Sequence, residues 1–154
     1  MALIYRKARE TDLRGIVGML ADDEIGKGRE AGIGDLSPYR DAFAEIDADP
    51  NQFLCVVESE GQVVGTLQLT FIPGLSRGGE KRGQIEAVRV AGDRRGEGIG
   101  RAMFDWAIEH CRARGCSMIQ LTTDKTRADA HRFYENLGFE ASHIGYKLRL
   151  GDQR

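Results

Sequence analysis

The chain holds 154 residues, of which 41% are hydrophobic and 30% charged, with a formal net charge of −2. This length suits a single domain over residues 1–154, and no stretch approaches the ~18 consecutive apolar residues of a membrane-spanning helix. The apolar part of residues 1–7 is too short for a signal peptide, so a cytoplasmic protein without a membrane partner is expected. Charge is unevenly spread: residues 22–49 carry nine acids and three bases, and residues 77–101 carry seven bases and four acids. No basic face is extensive enough to imply nucleic acid. The polarity suits a polyphosphate ligand at one end and an amine at the other. Cys55 lies in the apolar run Phe53-Leu54-Cys55-Val56-Val57 and reads as a reduced core residue. Cys111 and Cys116 match no metal-binding spacing and the three histidines are scattered, so no metal is expected.

In chain order, residues 4–8 read as a short strand. Thr11-Asp12 opens a helix in which Leu13, Ile16, Val17 and Leu20 recur at helical spacing. Four glycines between positions 26 and 34 mark a loop. Ser37-Pro38 opens a second helix with Tyr39, Ala42, Phe43 and Ile46 on one face, closed by Asp49-Pro50. Residues 53–58 and 62–71 form a hairpin about Glu60-Gly61. In its second strand Leu67, Leu69 and Phe71 alternate with Thr66, Gln68 and Thr70. A loop at 73–79 leads to a strand at 84–90, a helix at 98–114 and a strand at 117–123. A helix at 128–137 ends at Gly138, and residues 143–150 form a last strand. This order of elements is a mixed α+β fold.

The run Arg94-Arg95-Gly96-Glu97-Gly98-Ile99-Gly100-Arg101 joins the strand at 84–90 to the helix at 98–114. Three glycines in five positions leave backbone N–H groups approachable. The helix that follows adds unpaired N–H groups and the positive end of its dipole, and the arginines add full charges. Together these make a phosphate or pyrophosphate pocket. The run lacks the Gly-Lys-Ser/Thr of a Walker loop. Arg101 and Met103 stand where a dinucleotide fingerprint needs other residues. The spacing Arg95-x-x-Gly98-x-Gly100 resembles the pyrophosphate-binding segment of the GNAT superfamily of acetyl-coenzyme A-dependent N-acetyltransferases. The block Ala130-His131-Arg132-Phe133-Tyr134-Glu135-Asn136-Leu137-Gly138-Phe139 is similar to that superfamily's later motif. The resemblance implies a central, mostly antiparallel twisted sheet of about six to seven strands, flanked by about four helices. One strand pair in it would splay apart to admit the cofactor.

The resemblance also implies a reaction: acetyl transfer from acetyl-CoA, as cosubstrate, to a primary amine. Glu86 is the candidate base, set in an otherwise apolar strand where burial would raise its pKa; the alternative is an edge-facing or salt-bridged glutamate. The segment around it, Gly83-Gln84-Ile85-Glu86-Ala87-Val88, is similar to one in glucosamine-6-phosphate N-acetyltransferases. Tyr134 matches the tyrosine whose hydroxyl serves the leaving thiolate and the cofactor; the alternative is a core aromatic. Cofactor contacts are implied for Val88, Arg89 and Val90, whose backbone would pair with the pantetheine arm and supply the oxyanion donor. Arg95, Gly96, Glu97, Gly98, Ile99, Gly100 and Arg101 would hold the pyrophosphate. Thr123, Arg127 and Ala130 complete the set; Arg127 stands where relatives often have asparagine, and it either meets a phosphate or is a solvated helix start. Asp22 and Asp23, with Glu86, are the candidate amine contacts, because carboxylates attract a protonated amine; the alternative is a solvated helix end. A protein acetyltransferase, or an acyl-CoA-binding module without turnover, remains as an alternative reading. A homodimer is expected, since the strand at 143–150 would otherwise expose an edge.

Overall fold

The computed structural model describes residues 2–22 and 34–151. They fall into two compact units that meet between Gln120 and Leu121. The first unit is built on a five-stranded sheet in the order β1 (Ile4–Lys7), β2 (Gln52–Ser59), β3 (Gln62–Pro73), β4 (Lys81–Val90) and β5 (Met118–Gln120). The first three pairings are antiparallel and β4–β5 is parallel. The β2–β3 hairpin turns at Glu60 (φ 51°) and Gly61 (φ 79°). Two successive left-handed residues match the strand twist, as the sequence leads one to expect.

Helices α1 (Leu13–Ala21) and α2 (Ser37–Ala48) cover one face of the sheet, and α3 (Ile99–Ala113) covers the other. The Asp12 carboxylate accepts the Arg9 N–H at 2.7 Å and is gripped by Arg6 at 2.8 and 2.9 Å, which fixes the turn into α1. That helix buries Leu13, Ile16 and Val17. Ile16 packs with Ala8 and Val56, and Leu20, Phe43 and Leu54 close around them. On the other face α3 buries Ile99, Met103, Phe104, Ala107 and Cys111, facing Leu67, Leu69, Phe71 and Ile85. Each fully buried aliphatic side chain contributes roughly 1.5–3 kcal/mol. Two glycines permit the close approach of α3. A Cβ at Gly83 would stand 2.6 Å from the Cys111 Sγ, and one at Gly65 would stand 2.7 Å from the Met103 Sδ.

The second unit holds α4 (Ala128–Asn136). It starts from a turn in which the Asp124 carboxylate accepts from the Thr126 N–H at 2.9 Å and its carbonyl accepts from the Arg127 N–H at 3.0 Å. It ends with the Phe139 N–H bonding the Tyr134 carbonyl at 3.1 Å. Among the described residues no helix is long and apolar enough to cross a membrane.

Three expectations are corrected. The sheet has five strands among the described residues, not six or seven. The strand expected at 117–123 pairs only over Met118–Gln120. Residues 143–150 are exposed and without secondary structure, so the alternating pattern is present but no strand forms. The glycine-rich loop expected at 26–34 lies outside the described residues except for Gly34.

Two outcomes follow from this packing. Gly83→Ala should destabilise the protein by about 1–3 kcal/mol through overpacking against Cys111. The added change Cys111→Ala should restore much of that loss, as read by urea denaturation. His110 lies against Phe53, Trp106 and Phe71 at centroid distances of 4.8, 4.7 and 5.9 Å. Burial, and then the nearby Arg114 charge, lower its pKa from the ordinary 6.5. The unfolded chain therefore binds this proton more readily than the fold does. Stability should hold above pH 6.5 and fall as pH drops below it, and His110→Phe should flatten that decline in the urea midpoint between pH 8 and 5.5.

Candidate active site

The site begins with a defect in β4. Thr66 pairs with Arg89 and Gln68 with Glu86, so Ala87 and Val88 together stand opposite Leu67 alone. This is a β-bulge, and Ala87 takes the left-handed φ of 54° that such a bulge requires. The ladder to β5 stops earlier, at Gln84 and Gln120, while β4 continues to Val90. The β4–β5 ladder thus ends two residues before Glu86. Arg89 donates to the Val88 carbonyl at 2.9 Å.

The side chains beside the bulge form a polar floor. Gln52, Thr70, Gln84 and Gln120 are register partners across four strands. Gln68 and Thr70 donate to the Gln52 carbonyl oxygen at 2.9 and 3.1 Å, and Gln120 donates to that of Gln84 at 2.8 Å. Arg82 donates to the Gln120 side chain at 3.3 Å. Arg82, Gln84 and Glu86 alternate onto this same face of β4. Glu86 is exposed, which corrects the expectation that burial tunes it. Its strand is apolar only on the other face, where Gly83 and Ile85 meet α3.

Past Val90 the chain makes a 3-10 turn at Gly92–Arg94 and reaches α3 through Gly96 (φ 84°) and Gly98 (φ 81°). A residue other than glycine is strained at both positions. Gly98 is the N-cap and offers no side-chain cap, so the first-turn N–H groups at Ile99, Gly100 and Arg101 point outward with no intrahelical carbonyl to bind. The arginines around this end are paired with carboxylates: Arg94 with Glu97 at 3.1 Å, Arg95 with Asp22 at 3.3 Å, and Arg101 with Asp105 at 3.9 Å. Glu97 raises the pKa of Arg94 further. Exposed pairs of this kind are weak and exchangeable, and a pyrophosphate brings more charge and better acceptor geometry to the same arginines. The residues present therefore fit the phosphates of coenzyme A.

Asp22, an expected amine contact, accepts from Arg95 through its carboxylate and its carbonyl, at 3.3 and 3.1 Å. It also lies over Gly92, where a Cβ would come within 2.8 Å of its Oδ2. Separated by 73 positions, the two residues left no trace in the spacing. Asp23 lies outside the described residues. In the second unit Arg127 and Ala130 line a hollow of about 460 Å³ at the start of α4, with Thr126, Ala128 and Asp129. Thr123 precedes the Asp124 turn. Tyr134 is half-buried, edge-on to Phe133 and Phe139 at 5.7 and 6.3 Å.

Among known proteins, residues 15–139 match the model of the Acetyltransferase (GNAT) family. The aminoalkylphosphonate N-acetyltransferase of Salmonella typhimurium is 34% identical over 116 residues, 75% of this chain and 75% of that protein. The glucosamine 6-phosphate N-acetyltransferase of Trypanosoma brucei brucei is 36% identical over 90 residues, 58% of this chain and 59% of that protein. A crystal structure described as a transcriptional regulator from Bacillus halodurans C-125 aligns with 97% of this chain and 100% of its own, at 47% identity and a TM-score of 0.91. The family match runs through the bulged strand, the glycine loop and α4, and the chain belongs to the GNAT acetyltransferase family.

Proposed function

We propose that this chain transfers the acetyl group of acetyl-CoA to the primary amine of a small, polar molecule in a cytoplasmic setting. The observation that carries this reading is the bulge at Ala87–Val88. It bends β4 directly after Glu86, which lies on a carboxamide-lined face a few residues ahead of the glycine loop. When bound, acetyl-CoA supplies an electrophilic thioester. Glu86 accepts the proton that the amine sheds as its nitrogen attacks, directly or through one water; being exposed, it can exchange that proton with solvent between turnovers. A backbone N–H at the bulge stabilises the oxyanion. Tyr134 gives its proton to the departing thiolate and recovers one from solvent, so the products are the acetamide and free coenzyme A.

The relatives named above act, by their names, on amines that also carry a phosphonate or phosphate. The polar floor offers such an anion a partner in Arg82, four residues from Glu86 on the same face, so an amine with a second, anionic group is the acceptor class that fits best. The deciding experiment is thiol release from acetyl-CoA across a panel of aminoalkylphosphonates, amino-sugar phosphates, uncharged amines and lysine peptides. Turnover should favour the phosphorus-bearing amines, and Arg82→Gln should raise their KM about tenfold. Preference for lysine peptides would overturn this reading.

Gly98→Asp puts a side chain and a negative charge on the bare helix end, and coenzyme A affinity should fall about 10–100-fold by calorimetry in a folded variant. Asp22→Asn releases Arg95 and should lower KM for acetyl-CoA roughly two- to fivefold, leaving KM for the amine alone. The opposite pattern, a raised amine KM, would restore Asp22 to the acceptor side. Tyr134→Phe keeps the ring and should cost kcat about 10²-fold with coenzyme A affinity kept.

A further inference from the structure

The C-terminal cap of α3 places two cysteines together. Gly115 takes a left-handed φ of 85°. Its N–H bonds the Arg112 carbonyl at 3.0 Å, and the Cys116 N–H bonds the Cys111 carbonyl at 3.0 Å. This pair of bonds is a Schellman motif, which brings the side chains at the two ends of the turn into contact. That contact is ordinarily apolar, whereas in this chain both ends are free thiols.

Gly83 on β4 leaves the space in which they meet. A Cβ there would stand 2.6 Å from the Cys111 Sγ and 3.6 Å from the Cys116 Sγ, so both sulfurs crowd the same bare backbone. The bond between the Cys116 N–H and the Cys111 carbonyl also keeps the two Cα atoms within the roughly 7 Å that a disulfide can span. Access to the two thiols differs, since Cys111 is buried and Cys116 is half-buried. The 15 residues of α3 separate this pair from the glycine loop at the other end of the helix, so it is no part of the cofactor site.

We infer that Cys111 and Cys116 form a reversible thiol–disulfide site whose oxidant is a low-molecular-weight disulfide. Cys116, the reachable thiol, attacks one sulfur of that molecule. The small S–S bond breaks, and one small thiol leaves with the Cys116 proton. The Cys111 sulfur then attacks the Cys116 sulfur, the mixed disulfide breaks, and the second small thiol leaves with the Cys111 proton. Two protein thiols give up two electrons, and the small disulfide becomes two thiols. Burial pushes the Cys111 thiol up to about 12, which makes it a poor first attacker. It serves as the resolving sulfur because the cap holds its target beside it. Cys55 is fully buried on β2 and takes no part. Reducing surroundings keep the site open as a dithiol, and closure fastens the last turn of α3 to the chain that enters β5.

The probe is oxidised glutathione in excess over reduced protein. The intact chain should lose two hydrogen masses and two titratable thiols, and dithiothreitol should restore both. Trypsin cleaves after Arg112 and Arg114, which leaves the two cysteines on separate peptides that only the disulfide joins. Cys116→Ser should keep its far-ultraviolet spectrum and gain neither bond nor adduct. Cys111→Ala should stop with one glutathione held on Cys116. Wild-type protein that halts at that adduct, keeps all its thiols, or links two chains through Cys116 overturns the inference.

Discussion

The docking of α3 against β3 and β4 positions everything that binds. Its buried side chains lock the helix axis to the sheet, and Gly65 and Gly83 set how close it comes. Because the helix cannot slide, its N-terminus is held immediately beyond Val90. An N-terminus fixed in this way is useful only if its N–H groups are bare, and Gly98 leaves them so. The bare helix end is therefore a by-product of core packing. A change deep in the core, such as one at Met103 or Cys111, would reach the cofactor loop through the helix without touching it.

The bulge at Ala87 is the second constraint. One extra residue bends β4 and sharpens its local right-handed twist between Glu86 and Arg89, just past the last β5 pairing at Gln84. The strain of a left-handed alanine, of order 1–3 kcal/mol, is held in place by the ladder on either side of it. The polar floor follows from the same alternation. Gln52, Gln68, Thr70 and Gln84 share the sheet face on which α1 and α2 pack over Leu54 and Val56. Their side chains bond one another.

Local signals were readable in the chain and distant ones were not. The Glu60-Gly61 turn, the helix starts at Asp12 and Pro38, and the glycine loop each rest on residues within a few positions of one another. Sequence periodicity reports such features directly. The bulge could not be read, because Ala87 and Val88 look like any strand residues until the β3 register is known. The exposure of Glu86 was missed for a related reason. Its neighbours Ile85 and Val88 made the strand look buried, but the apolar face is only the one turned to α3. The pairing of Asp22 with Arg95 joins residues far apart in sequence, so no local signal carried it. The segment at 143–150 shows the reverse case. Its alternation reads as a strand, yet no ladder forms there, because a pattern carries no information about a partner edge.

The arginines at the phosphate loop bear on how the cofactor enters. With carboxylates already beside Arg94, Arg95 and Arg101, the loop presents a modest net field, although it is rich in cations. A free cluster of three would attract many anions indiscriminately. Paired arginines release their carboxylates only to a ligand whose charge and geometry exceed those of a carboxylate, which a pyrophosphate reaching several N–H groups at once does. Asp22 sits just past the C-terminal end of α1, so this ion pair ties that helix end to the glycine loop.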